Sequence, residues 1–218
     1  MDIKVYETQC WLNATYGKYA AFAVLDTDGI TGTKTIQGLI RALQIELGVD
    51  VDGVFGDDTF EEFGELSTSS DSSIETIKNQ IYILQGALYC KGQGLNPGDL
   101  NGIYTESTAA AVKRFQTYAG LSGDDLNGIT TGLEMQALLN TDAYTLLSNG
   151  DSNVRAMQQD LNNKYHEYIG LIPCDGVYSR RTNRALISGL QCEEKKEPGY
   201  GNTVIDGTVR EIFLFLPP

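Results

Sequence analysis

Apolar positions along this chain fall mostly three or four residues apart, in segments separated by short polar stretches rich in Gly, Asp, Asn and Ser. The clearest stripe is Ile36, Leu39, Ile40, Leu43 and Leu47, which places one apolar face on one helix. Val112, Phe115 and Ala119 predict a second such helix, and Leu186, Ile187 and Leu190 a third. Ahead of each lies another segment of helical spacing marked by Gln-x-x-Leu: Gln9 with Leu12, Gln85 with Leu88, and Gln158 with Leu161.

The stripes recur because the sequence itself repeats, at a spacing of about 73 residues. Between the two segments of each copy stands one motif. It reads Asp28-Gly29-Ile30-Thr31-Gly32-Thr33-Lys34-Thr35, then Asn101-Gly102-Ile103-Tyr104-Thr105-Glu106-Ser107-Thr108, then Asp175-Gly176-Val177-Tyr178-Ser179-Arg180-Arg181-Thr182. An apolar residue followed by Gln comes eight or nine residues after the Thr: Leu43-Gln44, Phe115-Gln116 and Leu190-Gln191. An Asp/Asn-Gly turn then returns as Asp52-Gly53-Val54-Phe55-Gly56-Asp57-Asp58-Thr59 and as Asn127-Gly128-Ile129-Thr130. In the third copy it is degraded, to Asp206-Gly207 or to Gly201-Asn202.

Turn chemistry explains this spelling. An Asp or Asn side chain bonds nearby backbone N–H groups, while the following Gly takes a positive φ that a Cβ would penalise. Gly32, Gly56, Thr105 and Ser179 then suit a helix N-cap, with Thr three positions later at N3. The expected fold is therefore all-α, three tandem small three-helix bundles. Polar stretches at Ser67–Ser73 and Ser148–Ser152 divide them into residues 1–68, 74–142 and 152–216. A bundle of about 65 residues is small for an independent core, so neighbouring copies are expected to pack on one another. The Pro217-Pro218 ending reads as a truncation point or the start of a linker.

Charge and composition narrow the partners. A net charge of -13 with no basic stripe disfavours nucleic acid and anionic membranes, and no apolar run approaches the roughly 18 residues of a membrane span. The opening Met1-Asp2-Ile3-Lys4-Val5-Tyr6 shows no secretory signal. Cys10, Cys90, Cys174 and Cys192 form no C-x-x-C pair and only His166 is available beside them, so no metal site is expected, and buried reduced thiols are.

The string Gln-x-x-Leu, Asp-Gly-x-Tyr/Phe-x-x-x-Thr, Phe/Leu-Gln and Asp/Asn-Gly resembles the helical peptidoglycan-binding domain found beside cell-wall hydrolases. The second copy is the most similar, through Asn101-Gly102-Ile103-Tyr104, Thr108, Ala111-Val112, Phe115-Gln116 and Gly120-Leu121. The first departs at Thr31, where the family usually has an aromatic, and the third at its last turn. The segments Gln9–Gly17 and Leu39–Gly48 also resemble the N-terminal region of a Gram-positive lysin-like family with a C-terminal glycoside-hydrolase-like domain. The resemblance implies non-catalytic binding of peptidoglycan, with the chain targeting an attached or downstream hydrolase at the cell wall or outside the cell. Release without a signal, as for phage lysins, fits the same expectation. The alternative is a scaffold or protein-interaction module built from the same repeats.

Catalysis within the chain finds little support. Asp57, Asp58, Glu61 and Glu62 are explained by helix-dipole placement, His166 has no marked nucleophile beside it, and Asp50-Val51-Asp52-Gly53 lacks the rest of a calcium loop. Lys91–Gly98 reads as the loop after a helix and Trp11 as core, so no cofactor is expected. Wall recognition wants aromatic faces and a few fixed polar groups. The candidates are Tyr104 and Tyr178, with Asn101 and Asp175 of the turns and the cations Arg180 and Arg181, which suit a stem-peptide carboxylate. The tyrosines have a second reading as plugs of the bundle, and Asn101 and Asp175 as braces of their turns.

Overall fold

A computed structural model describes residues 1–209. Its architecture is all-α. The helices are α1 (Ile3–Tyr16), α2 (Thr33–Leu47), α3 (Asp57–Glu62), α4 (Glu75–Lys91), α5 (Glu106–Ala119), α6 (Gly132–Leu138), α7 (Ser152–Ile169) and α8 (Arg180–Lys196), with a 3₁₀ turn at Gly123–Asp125. The only extended pairing among the described residues is the isolated bridge between Leu66 and Thr130. The described residues divide into two compact units, one of residues 1–118 and 122–143, the other of 119–121 and 144–209.

In the first unit α2 packs on α4, α1 on both, and α3 on α6. Ile36, Leu39, Ile40 and Leu43 are all buried there, so α2 is covered on more than one side. Trp11 stacks on Tyr82 across α1 and α4, with ring centroids 3.9 Å apart, and meets Tyr16 edge-on. The Tyr16 hydroxyl donates to Glu46 at 2.7 Å, and Asn79 of α4 donates to the same oxygen at 2.9 Å, so one carboxylate joins three helices. Burial, reinforced by Glu46, raises the Tyr16 phenol far above its ordinary value.

In the second unit Leu161, Ile172 and Ala185 form one buried cluster, flanked by Met157, Tyr165, Ile169 and Leu186. The predicted stripe on α8 is displaced: Leu186 and Ile187 are half-buried and Leu190 is 68% exposed, whereas its counterparts Leu43 and Phe115 are 0% exposed. The residues that α8 buries are Thr182, Ala185, Ser188, Gly189 and Cys192. Bulk comes from the other side, since the Tyr165 ring of α7 lies against Gly189 and leaves no room for a Cβ beyond close contact. A small-residue face therefore turns inward and the leucine turns out. The third-helix position of this copy falls at 210–216, outside the described residues.

Four free thiols accompany this packing, three buried and Cys10 half-buried. Burial pushes Cys174 up to about 12 and Cys90 up to about 11, which makes both poor nucleophiles. No described helix is long and apolar enough to cross a membrane.

Candidate functional site

The motif residues converge on a glutamine. In the first copy the Gln9 side-chain amide lies between α1 and the turn, donating to Asp28 Oδ1 at 3.0 Å, to the Ile30 carbonyl at 3.2 Å and to Thr35 Oγ1 at 3.1 Å. Its oxygen accepts the Gly29 N–H at 2.8 Å. One side chain thus satisfies the turn acceptor, the strained turn backbone and the N3 residue of the next helix. Gln85 does the same with Asn101, Ile103, Thr108 and Gly102, and Gln158 with Asp175, Val177, Thr182 and Gly176.

The second glutamine of each copy repeats the arrangement. Gln44 clasps Asp52, Val54, Thr59 and Gly53, and Gln116 clasps Asn127, Ile129 and Gly128, with Glu134 in the place of the Thr. Gln191 clasps Asp206, Thr208 and Gly207. This identifies Asp206-Gly207, one of the two places the sequence offered, as the second clasped turn of the third copy. Among the described residues the chain therefore carries six glutamine-clasped Asp/Asn-Gly turns, five of them followed by a helix start. The signal was present in the sequence as the recurring Gln, but its two contexts, Gln-x-x-Leu and Phe/Leu-Gln, look unrelated until both amides are seen at the same task.

These clasps account for two predicted site residues, and burial for a third. Asp175 Oδ1 accepts from Gln158 and from the Val177 N–H at 2.8 Å; Asn101 Oδ1 accepts from the Ile103 N–H at 2.9 Å and faces Gln85 at 3.5 Å. Tyr104 is 4% exposed, and its hydroxyl donates to the Gly128 carbonyl at 2.8 Å beside Thr130 Oγ1 at 3.0 Å. Tyr178 stands outward, 55% exposed, with its hydroxyl on Asn183 Oδ1 at 2.9 Å, and Arg180 is exposed next to it. Arg181 points elsewhere, donating to the Leu171 carbonyl at 2.9 Å. Asn101 and Tyr104 thus belong to the first unit and the other four to the second.

A different set does gather in the second unit. Tyr168, Ile169, Ile172, Arg181, Arg184, Ala185, Ser188, Ile205 and Asp206 line a cleft of about 360 Å³. A second cleft, of about 210 Å³, is lined by Lys164, Tyr165, Tyr168, Cys192, Lys195, Lys196 and Ile205, sharing Tyr168 and Ile205 with the first. Helix periodicity puts them there: Lys164 and Tyr168 are four apart on α7, and Arg181, Arg184 and Ser188 follow one face of α8. Of this group only Arg181 was a candidate from the sequence, because the rest, Asp206 of the last turn apart, lie outside the repeated motif.

Charge is unevenly placed around this feature. Residues 144–209 hold seven Lys and Arg against eight Asp and Glu, whereas residues 1–143 hold eight against twenty. Five of the seven cations line the two clefts. Lys164 pairs with Asp160 at 2.9 Å and Lys196 with Glu193 at 2.7 Å, both at the surface. Glu193 also accepts from Tyr165 at 2.8 Å; burial first, and this carboxylate second, push the Tyr165 phenol up to about 12.

Comparison with known proteins agrees with this architecture. The family profile described as "FadG/YbfG, PGDB-like domain", where PGDB denotes a peptidoglycan-binding-like fold, matches residues 2–131 and 147–208. The chain is 47% identical over 208 residues to the uncharacterized protein YbfG of Bacillus subtilis (strain 168), covering 95% of this chain and 27% of that protein. It is 42% identical over 214 residues to the uncharacterized protein FadG of the same organism, covering 95% of this chain and 35% of FadG. The chain thus spans between a quarter and about a third of the length of these relatives. No solved structure matches it. With the profile covering most of both units, the chain belongs to the FadG/YbfG family of peptidoglycan-binding-like domains.

Proposed function

We propose that the chain is a non-catalytic module that binds bacterial cell-wall peptidoglycan, its three repeats carrying a wall-hydrolysing domain to its substrate. The supporting observation is the cationic, tyrosine-bearing cleft of the third repeat within an otherwise strongly acidic chain of a peptidoglycan-binding-like family. Such a chain gains little from general attraction to anionic polymers, so recognition has to be local. The first two repeats act as a spacer in this reading, since both cationic clefts lie in the third.

The test is co-sedimentation of the purified 218-residue chain with washed sacculi, alongside a turbidity assay. Pelleting without loss of turbidity is the expected result, and recovery of all the protein in the supernatant across a range of salt would overturn the proposal. The second reading, a protein-interaction module, draws on one observation: Leu190 stands exposed where Leu43 and Phe115 are buried. Under that reading Leu190→Glu abolishes capture of a protein partner and leaves sacculi irrelevant.

A further inference from the structure

We infer that the third-repeat cleft recognises a short peptide bearing free carboxylates, and not an uncharged stretch of glycan. The inference rests on the wall-binding reading and adds the chemical class of the ligand. Three features of the cleft lead to it.

Its rim is cationic. Arg184 spends its Nε–H on the Asp206 carbonyl at 3.2 Å, which fixes the plane of the guanidinium and leaves its two terminal amino groups for a bidentate carboxylate. Arg181, one turn earlier on α8, is anchored on the Leu171 carbonyl at 2.9 Å. Lys195 and Lys196 close the neighbouring cleft. The one acid in the lining, Asp206, accepts from Gln191 at 3.1 Å and from the Thr208 N–H at 2.9 Å through Oδ1, so it is oriented toward its own turn.

Its lining is mixed. Ile169, Ile172, Ala185 and Ile205 add alkyl groups to the cations. Alkyl surface with charge at the edge suits small amino-acid side chains ending in carboxylates. A sugar ring instead asks for a flat aromatic face and a dense set of neutral hydrogen-bonding groups. The aromatic lining consists of Tyr168, shared between the clefts, and Tyr165, whose ring is packed against Gly189 and whose hydroxyl is held by Glu193. The only Trp is committed to the stack on Tyr82.

Its size is limited. A cleft of about 360 Å³ is at the small end of ligand sites and holds two or three residues of a peptide, with the 210 Å³ extension taking one more.

The experiment titrates the isotope-labelled chain with three probes: a synthetic cell-wall stem pentapeptide with free carboxylates, the same peptide with every carboxylate amidated, and chitotetraose as an uncharged glycan. The expected result is saturable shifts at Tyr168, Arg184 and Lys195 with the free peptide. Amidation is expected to weaken binding at least tenfold, and chitotetraose to give no saturable shift. Lys195→Glu and Tyr168→Ala, both at exposed positions, should weaken the free peptide without changing the melting temperature. Arg184→Gln serves as the stronger variant if it stays folded.

Equal binding of the amidated peptide, or saturation by chitotetraose at the same residues, overturns the inference. If the chain pellets with sacculi but the peptide produces no shifts, the inference fails while wall binding stands. Failure of both assays removes the wall-binding reading itself.

Discussion

Gln158 and Gly176 are eighteen residues apart, yet the Gln158 side-chain oxygen accepts the Gly176 N–H at 2.9 Å while its amide nitrogen reaches Asp175 and Thr182. A single residue type, buried and bonded on both of its polar atoms, sets where a helix ends relative to where the next begins. The same pairing at Gln9 and Gly29 or Gln85 and Gly102 makes the clasp a quantity that can be tested by substitution.

Gln85→Ala is the direct test. Gln85 is fully buried, and its removal strands the Gly102 and Asn101 N–H groups together with the Ile103 carbonyl. A buried unsatisfied group costs about 1–3 kcal/mol. A loss of roughly 3 kcal/mol is expected by urea unfolding, and a loss below about 1 kcal/mol would show that the clasp is dispensable.

Charge should discriminate between clasps. Gln9→Glu sets a carboxylate where the amide met Asp28 at 3.0 Å, whereas Gln85→Glu meets the neutral Asn101 at 3.5 Å. Like charges at that separation repel, so Gln9→Glu is expected to lower the melting temperature more than Gln85→Glu. Equal effects would contradict the assignment of the Nε2 atoms.

Gly102→Ala probes the turn itself. Gly102 has φ +71°, and a Cβ there would sit 2.7 Å from the Lys78 carbonyl oxygen, a backbone atom that cannot move aside. Both effects act together, so a destabilisation of more than about 2 kcal/mol is expected in denaturant unfolding.

Acid should attack some clasps and spare others. The Gln9 amide, and then the Ile30 N–H, hold the Asp28 carboxyl below the ordinary Asp value; Gln44 and Val54 do the same for Asp52. A carboxyl lowered in the folded state contributes stability that is complete above its unfolded pKa of about 3.9 and is lost as pH falls through the lower folded value. The stability of the first repeat is therefore expected to fall below about pH 4. Asn101 and Asn127 hold the equivalent places in the second repeat and do not titrate. Asp28→Asn with Asp52→Asn should flatten the acid limb of a melting-temperature profile, and an unchanged limb would assign it to other groups.

Leu43→Glu and Leu190→Glu should separate two sequence equivalents. Leu43 is buried between packed helices and its replacement is expected to unfold the first unit, whereas Leu190 is 68% exposed and its replacement is expected to shift stability by about 0.5 kcal/mol or less. Circular dichroism melts of the two variants distinguish these outcomes.

Much of this was legible in the residues. Helical spacing marked the stripes of α2 and α5, and Gly32, Gly56 and Ser179 stand at N-cap positions as the turn chemistry required. Leu190 was not legible, because periodicity identifies a face without saying what covers it; Tyr165 filling the space over Gly189 decides which side of α8 turns in. The cleft was hidden for a related reason. Its cations come from the unrepeated faces of α7 and α8, so a search guided by repetition found Arg181 and passed over Tyr168, Arg184 and Lys195.

The six amide clasps also bear on how such a chain can diverge. Each of the first five joins one helix to the next through polar bonds centred on four positions. A copy that keeps those positions can let the rest of its sequence drift without losing its outline, as in the third copy, where residues 144–209 hold seven Lys and Arg against eight Asp and Glu and the surface has moved from strongly acidic toward neutral.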